Sequence, residues 1–145
     1  MNPSRSVALL ALVAVVCFAP SGSAQNQERY KVRLTTVPMD GGMRSTVAGS
    51  GAATATLAGT TLAIAGTFEG LRSSATAARL HSGLAKGVRG ASVAELVVSK
   101  ATKGTLTGSI SLTPEQVKGL REGRLYVELA SEKAPEGNLW GWLLR

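Results

Sequence analysis

The chain has 145 residues, 16 lysines and arginines against 9 acidic residues, a formal charge of +7, one histidine and one cysteine. A single histidine excludes His-rich metal sites, which need several such groups together, and the only cysteine, Cys17, lies in the segment read below as a removed leader, so no Cys/His nucleophile pair is left. Aromatic residues make up only 4%, and the basic residues are spread from Lys31 to Arg145 rather than clustered with stacking rings, so no nucleic-acid partner is expected.

The first segment reads as a leader. Arg5 supplies a short basic region, Val7 to Phe18 is an unbroken apolar run, and Pro20 and Ser21 break it. Gly22-Ser23-Ala24 then offers the small residues that a signal peptidase accepts, which places cleavage after Ala24. The apolar run falls short of the roughly 20 residues that a spanning helix requires, so residues 1–24 are expected to be a cleavable signal peptide rather than an anchor. Lipid attachment at Cys17 would need a small residue before it, where this chain has Val16. Residues 25–145 then form one domain of ordinary size. That domain has no transmembrane segment and, with Cys17 removed, no disulfide, so packing alone must hold it together. It loses one unit of positive charge and stays basic. An exported product, periplasmic or extracellular, is the expectation.

Beyond the leader, apolar residues recur every second position. Tyr30, Val32 and Leu34 alternate with Lys31, Arg33 and Thr35, as in a strand with one face in the core. No structure is expected for Gln25 to Glu28. Asp40-Gly41-Gly42 predicts a turn. Val47–Leu57 and Thr61–Phe68 predict a hairpin turning at Gly59, with Leu62, Ile64 and Phe68 on one side. A short strand over Ala75–His81 leads into what reads as a glycine-rich loop through Gly83, Gly87 and Gly90. Val93–Val98 and Thr105–Leu112 are the next strands, separated by a turn at Lys103-Gly104.

One helix is well signalled. Thr113 is an N-cap, Pro114 suits the first helical position, Gln116 completes a capping box, and Gly123 ends it. Leu125–Leu129 and Leu139–Leu144 close the chain as an antiparallel pair joined by a loop through Pro135 and Gly137. Seven or eight short strands with frequent turns and one helix near residues 113–122 predict an all-β antiparallel sandwich or Greek-key barrel.

No catalytic set stands out. Most of the carboxylates from Glu28 to Glu136 sit next to turns or beside opposite charge, and no pair is singled out for acid–base work. A non-enzymatic protein without cofactor, metal site or catalytic residues is the expectation. Three features suit binding instead. Arg79 and His81 share a strand face and suit an anion, or form a polar strand edge. Trp140 and Trp142 share another, as core aromatics or as an exposed stacking surface. The Tyr126 hydroxyl is expected to cap a neighbouring loop. Arg79, His81, Arg89 and Trp140 are the candidate binding surface. Anionic envelope polymers, lipid head groups or another envelope protein are the partners such a basic surface suits.

From Phe68 onward the order of motifs resembles the CHRD domain, first recognised in chordin and also found in many microbial secreted proteins. Phe68-Glu69-Gly70-Leu71 with Ala75-Thr76-Ala77-Ala78 is the first block, and His81, Gly83, Gly87 and Gly90 form the second. Ser111-Leu112-Thr113 with Gln116 and Leu120 is the third. Gly123-Arg124-Leu125-Tyr126-Val127, running on to Pro135-Glu136-Gly137 and Gly141, is the last. The resemblance implies an immunoglobulin-like or superoxide-dismutase-like β-barrel and no settled molecular activity. Members commonly carry His-x-His after the paired alanines and a further His after the Leu-Tyr-Val block. Here Arg79 and Ala130 stand at the first and last of those places, leaving His81 alone, too few ligands for zinc or copper. Trp140 stands where an arginine is usual. A metal-dependent redox protein is the alternative, and it rests on shared fold alone.

Overall fold

The computed structural model describes residues 26–145; the leader expected over residues 1–24 lies outside the described residues. Eight strands follow the chain: β1 Gln27–Thr36, β2 Ser50–Ala58, β3 Thr61–Glu69, β4 Ala75–Ala85, β5 Val88–Val98, β6 Gly104–Ser111, β7 Leu125–Ser131 and β8 Ala134–Leu144. One α-helix, α1 Pro114–Arg121, lies between β6 and β7, and a short 3-10 turn, Met43–Ser45, between β1 and β2. The strands close into an antiparallel barrel in the order β1-β2-β3-β6-β5-β4-β7-β8, with β8 returning to β1. The all-β fold with a single short helix agrees with the alternation read from the sequence.

The alternation decides which side chains meet. Tyr30, Val32 and Leu34 from β1, Ala55 and Leu57 from β2, and Leu62, Ile64 and Phe68 from β3 all point inward and are buried. Leu80, Leu106, Leu125, Val127, Leu129, Leu139 and Leu143 complete the same core from the other strands. Each fully buried leucine contributes roughly 2 kcal/mol of burial, so a barrel without cross-links is sustained by packing. Helix α1 forms where its caps dictate. The Thr113 hydroxyl accepts from the Gln116 N–H, the Gln116 side chain accepts from the Thr113 N–H, and Gly123 takes a positive φ just beyond. It turns Val117 and Leu120 into the core.

Strand pairing departs from sequence neighbours at one place that shapes the whole wall. β6 lies fully against β3, from Thr61↔Ser111 to Phe68↔Gly104, but meets β5 only at Val97↔Thr107 and Val98↔Leu106. β5 therefore diverges from the barrel wall over the rest of its length and follows β4. Four sequence expectations are corrected here. The stretch from Gly83 to Gly90 is a hairpin rather than a loop: β4 runs on to Ala85, Lys86-Gly87 make the turn, and β5 starts at Val88. Pro135 and Gly137 lie inside β8, which is joined to β7 at Glu132-Lys133. Gln27 and Glu28 belong to β1, and Val47 precedes β2, buried against Val37 and Ala134.

Candidate functional site

The outer face of β4, β7, β8 and β1 carries Arg79, His81, Tyr126, Trp140 and Trp142, with Arg89 reaching over it from β5, and strand register explains why. Arg79 lies opposite Glu128, Glu128 opposite Trp140, and Trp140 opposite Thr35. His81 lies opposite Tyr126, and Tyr126 opposite Trp142. Two rows thus cross the sheet side by side, the first mainly polar and the second made of rings. Leu139 and Leu143, which flank this pair along β8, point inward, so Trp140 and Trp142 face away from the barrel core. The core reading of these tryptophans is corrected by that alternation: both are half-buried on the outside.

The rings pack on one another. His81 stacks on Tyr126 with centroids 4.9 Å apart, Tyr126 lies 4.5 Å from Trp142, and Trp140 meets Trp142 edge-on at 5.9 Å. Tyr126 sits at the centre and is almost fully covered although it points outward. Its cover is the β4–β5 hairpin. A bulge between Leu80 and His81 bends that hairpin over the sheet, and its backbone reaches the ring hydroxyl. Gly90 N–H donates to the Tyr126 oxygen at 3.2 Å, the hydroxyl donates to the Gly90 carbonyl at 3.4 Å, and His81 Nδ1 lies 3.3 Å from that carbonyl. A Cβ at Gly90 would collide with the Ser82 carbonyl, so the approach depends on glycine.

The candidate residues have different partners. Arg79 pairs with Glu95 at 3.4 Å, and both are well exposed. Arg89 lies over Trp140, 5.2 Å from the ring centroid, and its Nη1 is 3.0 Å from Glu128 Oε2. That contact is an ion pair without hydrogen-bond alignment, leaving Glu128 Oε2 buried with no hydrogen-bond donor. His81 is held by Tyr126 and Gly90. Hence Arg79, His81 and Arg89 each have a polar partner within the protein, and Trp140 is the one of the four that lines the two grooves described next.

Two grooves flank Trp140. One, of about 290 Å³, runs between β1 and β8 past Lys31, Arg33, Trp142 and Arg145. The other, of about 600 Å³, lies beyond the end of β1 beside Arg44 and Arg72. Asn138 holds its wall in place. This fully buried side chain accepts from the Ala48 N–H at 3.2 Å and donates to Ser131 Oγ at 2.9 Å, tying the β1–β2 connection to β8. Sequence reasoning passed over Lys31, Arg33, Arg44, Arg72 and Asn138. The i, i+2 spacing of Lys31 and Arg33 on one strand face was the available signal. A larger concavity of about 1070 Å³ on the other flank of β1 shares Arg33 with the first groove, is otherwise lined mainly by small residues with Phe68, Glu69 and Lys103, and has no tryptophan or tyrosine.

The CHRD domain model matches residues 31–143. This chain belongs to the CHRD domain family. The match extends back through β1 and β2, so the whole barrel, and not only the stretch from Phe68 onward, is the CHRD domain. No curated protein and no solved structure matches the chain. In this CHRD domain no three of His, Cys, Asp and Glu gather closely enough to hold a metal ion among the described residues. No helix among them is long and apolar enough to cross a membrane.

Proposed function

We propose that this CHRD domain is an exported, non-enzymatic binding module of the periplasm or cell exterior, and that it meets its partner through the face centred on Trp140 and Trp142. The observation that carries this is the ring cluster outside a barrel whose core is already complete. Packing Tyr126, Trp140, Trp142 and His81 against the outer wall, where Trp140 also covers the small cluster of Val37, Val47 and Ala134, fixes two half-exposed indoles between grooves bordered by cations. Rigid indoles with few torsions to freeze lose little entropy when they are covered, which is why tryptophan and arginine dominate the centres of binding surfaces. Export follows from the Val7–Phe18 apolar run and the Ala24 site. The lack of a catalytic role follows from the residue inventory, with His81 and Tyr126 held by structural contacts.

The test is retention of the purified protein on the insoluble envelope fraction of its source cells, eluted with a salt gradient. Trp140→Ala should elute markedly earlier than the parent. Thr107→Ala, on the outer face of β6, should elute with the parent. Equal retention of parent and Trp140→Ala would remove this face from the account. N-terminal sequencing of the exported protein should begin at Gln25.

A further inference from the structure

The two grooves beside Trp140 read as one track along the outside of β1, and their electrostatics are one-sided. Lys31 and Arg33 border the first groove and Arg44 and Arg72 the second. None of these four forms an ion pair with a carboxylate among the described residues. No Asp or Glu lines either groove. Elsewhere five arginines are paired, Arg79 with Glu95, Arg89 with Glu128, Arg121 and Arg145 with Glu28, and Arg124 with Glu122; Arg29, Lys86, Lys100, Lys103, Lys118 and Lys133 also lack a carboxylate partner among the described residues, but they line neither groove. Four unpaired cations gathered along one line of grooves with no carboxylate in the lining make a surface matched to external negative charge.

We infer that this track binds a linear acidic polysaccharide, with its carboxylates on Lys31, Arg33, Arg44 and Arg72 and one sugar ring lodged against Trp140. The inference rests on the binding-face reading above and supplies its ligand class. Three features select that class. First, Lys31 and Arg33 stand about 7 Å apart as i, i+2 neighbours on a strand, and β1 from Lys31 to Thr36 spans about 17 Å, so a single head group cannot satisfy both ends and a repeating anion can. Second, the cations border recessed grooves between and beyond strands, where a flexible chain enters and a flat bilayer does not. Third, Arg89 covers one face of Trp140, and Tyr126 and Trp142 abut the ring edge-on. What is left suits the C–H patch of a pyranose better than the full ring face that a nucleobase stacks on.

The experiment is titration of the purified protein with polygalacturonate, and in parallel with neutral dextran, a dT oligomer and phosphatidylglycerol vesicles. Polygalacturonate should bind and dextran should not, with affinity falling at least about tenfold between low and physiological salt as screening grows. Arg33→Ala and Arg44→Ala should each weaken binding by about tenfold, the loss of one charge-assisted hydrogen bond. Arg33→Glu with Arg44→Glu should abolish it. Both positions are exposed, so thermal melts of these variants should match the parent, and Lys118→Ala on α1 should bind normally. Trp140→Phe, which keeps a ring on Tyr126, should weaken binding less than the charge reversals. Undiminished polygalacturonate binding by the double reversal overturns the site. Binding of the dT oligomer or the vesicles through these residues in preference to polygalacturonate overturns the ligand class. Envelope retention that depends on Trp140 without polygalacturonate affinity overturns this inference and leaves the broader reading standing, whereas absence of both overturns the two together.

Discussion

Replacing Glu28 by Gln tests whether the two ends of the barrel chain are held together by charge. Near the start of β1, the Glu28 carboxylate accepts from Arg121 Nη2 at 2.7 Å and Nε at 3.1 Å, from the Tyr30 hydroxyl at 2.7 Å, and from Arg145, the last residue of the chain. Hydrogen bonds from Arg121 first, then Tyr30, outweigh desolvation and lower its pKa from 4.5 to about 2. Burial, followed by the bond to Glu28, raises the Tyr30 hydroxyl in turn. A carboxyl whose folded pKa lies below its unfolded one adds stability that is complete above the unfolded value and disappears as pH falls through the folded one. The window for Glu28 is therefore from about 4.5 down to about 2. The side chains of Arg121 and Arg145 are 53% and 59% exposed, so solvent screening brings the contribution of Glu28 to about 1 kcal/mol. For a domain of this size that corresponds to about 3–5 °C in Tm. Thermal melts of parent and Glu28→Gln should show that gap at neutral pH, a narrower one in high salt, and almost none at pH 2. A gap of equal size at neutral pH and pH 2 would show that shape rather than ionisation holds the ends, and equal stability at neutral pH would show that the cluster contributes nothing.

Three further outcomes follow from particular contacts. Gly90→Ala should destabilise the domain by about 1–3 kcal/mol through overpacking and change the near-ultraviolet circular dichroism of the ring cluster, because the new Cβ meets the Ser82 carbonyl; Gly41→Ala, with open space and no positive φ, should be neutral in the same assay. Asn138→Ala should cost about 1–3 kcal/mol in urea denaturation, since it strands the Ala48 N–H and the buried Ser131 hydroxyl. Leu84→Ser, at a hairpin position 80% exposed, should leave stability within about 0.5 kcal/mol, as read in the same urea titration.

The fold class was legible because alternation is a local property. Val32 and Leu34 on β1, or Leu62 and Ile64 on β3, had to share a face whatever their partners were, and Thr113, Pro114 and Gln116 carry the start of α1 in their own side chains. The site was only half legible. Arg79 and His81 were correctly placed on one strand face, but that face says nothing about Glu95, which lies sixteen residues away in sequence and takes up the Arg79 charge. The glycines at 83 and 90 looked like a loop because glycine reports freedom of the backbone; here they serve close approach of two strands instead, and only the paired strand reveals that use.

By itself the amino-acid order determined an alternating, disulfide-free β-domain, its helix and its CHRD-like motif series, since each depends on residues near one another along the chain. The tertiary structure alone decided that β6 joins β3 and that the β4–β5 hairpin folds over Tyr126. It also decided that Trp140 and Trp142 stand outside the barrel and that Lys31, Arg33, Arg44 and Arg72 line the grooves beside Trp140 with no carboxylate among them. Those outcomes depend on register between strands distant in sequence. A one-residue slip in that register would exchange the inner and outer faces, and the closure of the barrel, rather than any local preference, sets it.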